Sequence, residues 1–256
     1  MPKPFAPDSR LVKEIRSSPN YGARRGVKRP DLLILHYTGM PDCESALRRL
    51  TEKSSEVSSH YLVFENGRIV QLVPENKRAW HAGVSAWQAE SDINSRAIGI
   101  EICNPGHDFG YPNFSRKQMK AVIALCKNIV RRNGIRPEHV LAHSDIAPTR
   151  KQDPGEKFPW AQLHKAGIGH FVRPAKISSS KKFRRGDRSA KILEVQRQFA
   201  EYGYRIIVNG KFDAATEAVV TAFQRHFRPQ RVDGVLDVST RKTLHKLLSK
   251  RPSRRG

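Results

Sequence analysis

The sequence predicts an α/β domain with a mixed central sheet flanked by helices, followed by a small three-helix domain. Three observations support this fold class. Short apolar runs typical of buried strands surround a long amphipathic segment, a polar and basic stretch follows them, and a turn-and-helix pattern then repeats. We therefore divide the 256 residues into an N-terminal arm (1–30), a main domain (31–172), a basic linker (173–190) and a helical domain (191–250).

The predicted strands are short apolar runs. The arm contains Pro, Ser, Gly and Arg with little periodicity, which is typical of an extended segment. LLILHYT at 32–38 predicts a buried strand, and HYLVFE and RIVQLV flank Asn66-Gly67, a strong hairpin signal. AIGIEIC at 97–103 and VLAH at 140–143 predict two more strands, with Gly99 permitting close approach of another backbone segment.

A long helix separates the last two strands. Ser115 and Gln118 have the spacing of a capping box, and Gly134 is a typical stop signal. Between them one apolar stripe recurs at helical spacing, formed by Met119, Val122, Ile123, Cys126, Ile129 and Val130.

The helical domain contains an internal repeat. VNGKFDAATEAVVTAF (208–223) and VDGVLDVSTRKTLHKL (232–247) share the frame V-[ND]-G-x-[FL]-D-x-x-T. In each copy an Asn-Gly or Asp-Gly turn precedes an Asp that is placed to cap a helix. With the amphipathic segment 192–204, this predicts a three-helix module too short to form an enzyme cleft, and so a binding domain.

The chain is strongly basic, with a formal net charge of +23. Residues 172–256 contain 21 Lys and Arg but 7 Asp and Glu, so the excess is greatest in this third. Such a charge attracts polyanions, whether nucleic acid, anionic lipid or cell wall. The charge does not discriminate among them.

The sequence also bears on compartment. No apolar run approaches the roughly 20 residues that cross a bilayer, and no signal peptide is visible, so we expect a cytoplasmic protein without a transmembrane segment. The periplasm or cell envelope, reached by an unrecognised route, is the alternative. The three cysteines are scattered, which argues against a disulfide framework; Cys103 and Cys126 are expected to be small core residues.

Two histidines end predicted strands. If the strands of His36 and His143 share one sheet, both side chains reach one edge of it. With Asp153, from a loop stiffened by prolines, they have the composition of a catalytic zinc site. Asp145 is a rival carboxylate, equally suited to a turn. The sequence has no HExxH motif, and a histidine at a strand end is often only a surface residue.

Further candidates lie near these residues. Glu101 interrupts an apolar strand, so it is either an edge residue facing solvent or a buried carboxylate acting as a general base. Lys151 is either a solvated loop residue or part of the site. Trp80, His81 and Trp87 lie in the loop RAWHAGVSAW, where a tryptophan pair either shapes a groove or caps the core.

Together these motifs resemble a known family. Residues from about 31 to 160 resemble the zinc-dependent N-acetylmuramoyl-L-alanine amidases (amidase-2), which have the fold of the peptidoglycan-recognition proteins. The resemblance is carried by LLILHYTG, VSSHYLVFENGRIVQLVPENKRAWHAGVSAW, INSRAIGIEICNPG and AHSDIAPTRKQDPG. Residues 191–248 resemble a three-helix peptidoglycan-binding domain, through FQ and DG-x-x-D-x-x-T.

The resemblance implies a function and a set of roles. The expected reaction is hydrolysis of the amide between N-acetylmuramic acid, or its anhydro form, and L-alanine in peptidoglycan or muropeptides. It implies that His36, His143 and Asp153 bind Zn²⁺. Glu101 is then expected to activate the attacking water and Lys151 to stabilise the oxyanion. His60, Trp80 and His81 are expected to contact substrate.

Two other classes of function remain open at this point. A non-catalytic peptidoglycan-binding protein would keep the fold without the metal, although all three ligands are present. A nucleic-acid binder would explain the basic tail, but no aromatic residues alternate with the charge as in recognition motifs. We therefore expect a monomeric enzyme that acts on peptidoglycan or muropeptides and has no nucleic-acid partner.

Overall fold

A computed structural model describes residues 5–178 and 182–251. Its six-stranded sheet has the order β1-β5-β4-β7-β3-β8, and β2 and β6 form a separate pair. The strands are β1 (Glu14–Ile15), β2 (Tyr21–Ala23), β3 (Leu32–Tyr37), β4 (Tyr61–Val63), β5 (Ile69–Gln71), β6 (Lys77–Ala79), β7 (Ala97–Ile102) and β8 (Val140–Ala142). The helices are α1 (Cys43–Thr51), α2 (Ile93–Arg96), α3 (Arg116–Asn133), α4 (His143–Ile146), α5 (Trp160–Lys165), α6 (Ala190–Tyr202), α7 (Ala214–Phe227) and α8 (Val238–Ser249), with short 3₁₀ turns at Lys53–Ser55, His107–Phe109 and Pro137–His139.

The sheet is mixed, as the sequence predicts. β3 pairs in parallel with β7 on one side and with β8 on the other, whereas β4 and β5 form the antiparallel hairpin at Asn66-Gly67. The register places His36 opposite Glu101 and Leu35 opposite Ala142. The carboxyl ends of β3, β7 and β8 therefore lie side by side at one edge of the sheet.

The two faces of the sheet are covered by different parts of the chain. Leu33 and Leu35 of β3 belong to a core shared with α3, whereas Leu32 and Ile34 belong to a core shared with α6, α7 and α8. Because both faces are buried, the central strands are almost continuously apolar. The three C-terminal helices thus pack on the main domain and complete its second core.

The predicted long helix is α3. Ser115 Oγ accepts a hydrogen bond from the backbone N–H of Gln118 at 3.1 Å, and Gly134 ends the helix with a φ of 67°. Capping at both ends and burial of one stripe explain why the sequence predicted this element well.

The N-terminal arm is part of the main domain. β1 pairs with β5, and β2 pairs with β6. Ser18 Oγ donates to the carbonyl of Leu50 at 2.6 Å, and Asn20 Nδ2 donates to the carbonyls of Glu52 and Val57. The sequence predicted only an extended conformation here, because two- and three-residue strands carry no recognisable pattern.

The internal repeat has a common hydrogen-bond pattern. Asp213 caps α7 by accepting from the N–H of Thr216 at 2.8 Å, and Asp237 caps α8 by accepting from the N–H of Thr240 at 2.7 Å. The turns before these caps are held by two buried glutamines on the preceding helices. Gln196 Oε1 accepts from the N–H groups of residues 209 and 210, and Gln224 Oε1 accepts from those of residues 233 and 234.

The segment predicted as a linker is attached at both ends to the helical domain. The N–H of Ala175 donates to Thr243 Oγ1 at 3.0 Å, and Ser239 Oγ donates to the carbonyl of Ala175. Phe183 is buried and forms a β-bridge with Leu236. Part of the predicted linker, residues 179–181, lies outside the described residues.

The expectation of no disulfide was wrong. Cys43 and Cys103 form a disulfide with a Cα–Cα distance of 5.4 Å. The sequence does not predict this disulfide, because 60 residues separate the two cysteines. They meet in the fold because β3 and β7 are neighbouring strands and α1 begins shortly after β3. Cys126 is free and buried in the core, as predicted.

No helix among the described residues is both long and apolar enough to span a bilayer.

Candidate active site

Three side chains converge where β3 and β8 end. His36 Nδ1 lies 2.9 Å from His143 Nδ1 and 3.1 Å from Asp153 Oδ2, and His143 Nδ1 lies 3.0 Å from the same oxygen. All three residues are buried, and their donor atoms form one cluster with the geometry to hold a metal ion. The structure thus brings together the three ligands predicted from the sequence.

The outer nitrogen of each histidine is also engaged. His143 Nε2 is 3.1 Å from the carbonyl oxygen of Ala82, so it must be protonated to donate, which leaves Nδ1 with a free lone pair. His36 Nε2 is 3.0 Å from His81 Nδ1, which acts as the acceptor when His36 Nδ1 is a ligand. Such outer contacts fix the tautomer and ring orientation of metal-binding histidines, so this donor set fits zinc.

Electrostatic interactions favour the protonation states of His36 and Asp153 that can bind a metal ion. Burial, and secondly the nearby His143, lower the pKa of His36 to about 4. Burial alone would raise the pKa of Asp153, but the facing imidazoles of His143 and His36 bring it well below its usual range. Neutral imidazole and ionised carboxylate are the states that bind a metal.

The loop after β8 places Asp153 and Lys151. The N–H of Ser144 donates to the carbonyl of Asp153 at 3.0 Å, and the N–H of Lys151 donates to the carbonyl of Ala147 at 2.9 Å. These bonds close the loop onto α4. Lys151 is half-buried and lines the cleft beside Asp153.

Glu101 lies on β7, in the centre of the sheet and not at its edge, so the alternative of an edge-strand residue is wrong. Its side chain is on the same face as His36, and its Oε2 is buried with no hydrogen-bond partner among the described residues. Burial, and secondly the negative Asp153, raise the pKa of Glu101 well above its ordinary value. A carboxyl oxygen without a described hydrogen-bond partner, beside a candidate metal site, is well suited to exchange protons.

A cleft of about 370 Å³ opens above these residues. Trp80 and His81 line it, as do Glu101 and Lys151. Tyr37, Arg49 and Arg150 also line it, although the sequence analysis did not single them out. Of these three residues, only Tyr37 could have been found from the sequence, because it directly follows the predicted ligand His36.

His60 does not lie at the cleft surface. Its side chain is completely buried; Nδ1 accepts from the N–H of Gly99 at 3.0 Å, and Nε2 lies 3.0 Å from the carbonyl of Lys77. This position gives no support to the expected contact of His60 with substrate. His81 is close-packed over Gly99, where a Cβ would lie 2.5 Å from its ring.

The two tryptophans of the loop have different environments. Trp80 is half-buried in the cleft wall, whereas Trp87 is 2% exposed and packs against Tyr202 and Tyr204 of the helical domain. The sequence left two roles open for the tryptophan pair, shaping a groove or capping the core. Trp80 lines the cleft, and Trp87 packs in the core.

The fold and the site define a hydrolase with a candidate metal centre at the carboxyl edge of a mixed sheet. The family model for N-acetylmuramoyl-L-alanine amidase matches residues 26–156, and that for a peptidoglycan binding domain matches residues 188–244. The chain belongs to the N-acetylmuramoyl-L-alanine amidase family. Its reaction is therefore hydrolysis of the amide between N-acetylmuramic acid and L-alanine, and the family is in general zinc-dependent.

Known relatives agree with this assignment. The chain is 39% identical over 240 residues to the N-acetylmuramoyl-L-alanine amidase AmiD of Escherichia coli, covering 89% of this chain and 86% of AmiD. A structure of E. coli AmiD with anhydro-N-acetylmuramic acid-L-Ala-D-γ-Glu-L-Lys has a TM-score of 0.74, covering 89% of this chain and 92% of that one. Pseudomonas aeruginosa AmpDh3 is 34% identical with a TM-score of 0.73, covering 93% of this chain and 96% of that one.

Proposed function

We propose that His36, His143 and Asp153 hold a zinc ion and that Glu101 and Lys151 complete the machinery for amide hydrolysis. The observation that carries this proposal is the convergence of three buried donor atoms from separate segments, with neighbouring distances of 2.9–3.1 Å. A purely structural cluster would not need two histidines whose inner nitrogens both face one carboxylate.

The chemistry then divides between the metal and the chain. A bound zinc would supply Lewis acidity, polarising the substrate carbonyl and lowering the pKa of a water molecule. Glu101 Oε2 accepts a proton from the attacking water and later returns it to the departing amine of L-alanine. Because this oxygen has no hydrogen-bond partner in the described part of the chain, it is free for both transfers.

Lys151 has an electrostatic role. Lys151 lines the cleft together with Asp153, so its positive charge can stabilise the negative charge that develops on the former carbonyl oxygen during attack. Trp80 supplies an apolar wall on which a sugar ring or peptide can rest. His81 holds His36 from behind, in addition to lining the cleft.

We propose that the substrate is a peptidoglycan-derived muropeptide. Support comes from the relatives, since AmiD has been crystallised with an anhydro-muramoyl peptide and AmpDh3 with an anhydromuramic pentapeptide. The basic Arg49 and Arg150 at the cleft suit the carboxylates of a stem peptide. The helical domain would anchor the enzyme to the polymer itself.

The compartment that suits these features is the cell envelope. A wall-binding domain is useful where the polymer is, and the Cys43–Cys103 disulfide is stable in an oxidising environment. Thiol titration of the unfolded protein from native cells tests this: one reactive thiol is expected, from Cys126. Three thiols would instead support the cytoplasm.

The central experiment compares zinc content and muropeptide cleavage in full-length variants. Asp153→Ala should lose both, because one of three ligands is removed. Glu101→Gln should keep zinc and lose cleavage, because the amide cannot take a proton from water. Glu138→Gln is the matched control, a buried carboxylate outside the cleft, and should keep both.

Two outcomes would contradict the proposal. A wild-type protein that binds sacculi without zinc and without releasing peptides would be a recognition protein. Retained cleavage in Glu101→Gln would remove Glu101 from the role of base.

Competition between sacculi and DNA for the full chain tests whether the basic tail has a nucleic-acid partner instead.

A further inference from the structure

A buried carboxylate links the helical domain to the metal centre. Asp145, on α4, is 1% exposed and accepts three hydrogen bonds. One comes from the N–H of Ala142 at 2.8 Å, within the same turn. The other two come from the helical domain: Tyr204 OH lies 2.6 Å from Oδ1, and His226 Nδ1 lies 2.7 Å from Oδ2.

The turn that Asp145 closes carries one proposed ligand, His143, and is hydrogen-bonded to the second, Asp153. Its bond to the N–H of Ala142 spans His143, which begins α4. The next residue, Ser144, donates its N–H to the carbonyl of Asp153. A displacement of Asp145 would therefore move one ligand directly and loosen the attachment of the second.

The two donors from the helical domain are themselves firmly placed. His226 is stacked on Trp160 with ring centroids 3.7 Å apart, and Tyr204 packs edge-on against Trp87 at 5.0 Å. Close to Tyr204, the N–H of Gln88 donates to the carbonyl of Gly203 at 2.7 Å. Both donors are almost fully buried. Rigid donors of this kind hold a carboxylate in one orientation.

We propose that Tyr204 and His226 are positioning residues for zinc, acting through Asp145, so that the helical domain is part of the metal centre as well as a binding module. This inference rests on the proposed zinc site. Partners that hydrogen-bond a metal ligand typically change metal affinity 10- to 100-fold when removed. Tyr204 and His226 act one contact further out, so the lower end of that range is expected for each. A buried carboxylate that loses a donor is free to rotate toward another partner, and α4 then loses its fixed position.

The test is the zinc dissociation constant of the full-length chain, measured by competition with a chromophoric chelator. Tyr204→Phe keeps the ring and removes only the hydroxyl, so we expect roughly tenfold weaker zinc binding. The matched control is Tyr202→Phe. Tyr202 is equally buried in the same domain, but its hydroxyl lies 3.1 Å from His170 Nδ1, so zinc affinity should stay within about twofold.

A second pair of variants examines the other donor. His226→Asn keeps a nitrogen donor near the position of Nδ1, whereas His226→Leu removes it. We expect the leucine variant to lose more zinc affinity than the asparagine variant, and kcat to fall with zinc saturation while KM stays nearly constant. Thermal unfolding of all four variants separates this effect from general loss of stability.

The outcomes are distinguishable from failure of the proposed function. If the wild type binds no zinc, the proposed metal site is wrong. If the wild type binds zinc and Tyr204→Phe and Tyr202→Phe have equal affinities, the positioning role is overturned while the zinc site stands. Equal zinc affinities of His226→Asn and His226→Leu would overturn the positioning role of His226.

Discussion

Replacing Trp87 with alanine should test whether the two domains form one folding unit. Trp87 belongs to the main domain but packs between Tyr202 and Tyr204, and a Cβ on Gly203 would lie 2.5 Å from its indole. Its Nε1 has no hydrogen-bond partner among the described residues, so the change removes packing and no hydrogen bond described there. The expected effect is therefore almost purely one of apolar burial.

The magnitude follows from the buried area. A tryptophan buries about 150–250 Å² and Trp87 is only 2% exposed, which at about 25 cal/mol per Å² corresponds to about 4–6 kcal/mol. Truncation of large aromatic residues in cores typically costs about 3–5 kcal/mol. We expect a loss of about 4 kcal/mol, and a lowering of Tm by about 8–16 °C for a chain of this size.

The assay is thermal unfolding followed by circular dichroism and calorimetry. A single transition is expected for the wild type, because one core contains side chains of both domains. Trp80→Ala is the control: Trp80 is half-buried in the cleft, so its loss should raise KM with a smaller change in Tm. A Tm for Trp87→Ala within about 3 °C of wild type would refute a shared core as a major source of stability.

Three more predictions follow from single contacts. Gly99→Ala should destabilise the protein by about 1–3 kcal/mol and weaken zinc binding, because the new methyl group overlaps the ring of His81. The control is Gly22→Ala, which has no atom within 4 Å of the added Cβ and should change neither quantity. Thermal melting and chelator competition measure the two effects. Gln224→Ala should cost about 2–6 kcal/mol in denaturant unfolding, since two N–H groups lose their acceptor, against under about 0.5 kcal/mol for exposed Gln230→Ala. In metal-free protein, Glu101→Gln should be more stable than wild type at pH 8 but not at pH 4, which pH-dependent melting would measure. Because burial raises the pKa of Glu101, the stabilisation of the folded state by its protonated form is complete below pH 4.5 and is lost as the pH rises through the folded-state pKa. A stability difference between the two proteins that does not change over this pH range would contradict the burial argument.

The sequence by itself determined the local features of this protein. The hairpin at Asn66-Gly67, the cap at Ser115 and the repeated Asp caps of the helical domain each depend on a few adjacent residues, and each appears where it was predicted. The family motifs also predicted His36, His143 and Asp153 as the metal ligands, because their order and spacing along the chain are specific.

Only the tertiary structure decided which of these features meet. The donor atoms of these three residues lie within 3.1 Å of one another because β3 and β8 are parallel neighbours, a pairing between residues more than 100 positions apart. The disulfide depends on the same sheet, and the burial of His60 on the layers around it. Local pattern cannot report such contacts, because the apolar character of a residue predicts burial but not its partner.

The relation between the two domains is the clearest case. The basic, polar segment 173–190 was interpreted from the sequence as a linker between two domains, yet one core contains Leu32 and Ile34 of β3 together with Phe199 and Phe223 of the helices. The sheet needs a cover on its second face, and the helical domain provides it. Asp145, which looked from the sequence like a rival ligand, instead binds the helical domain, because three donors surround its carboxylate only in the folded protein.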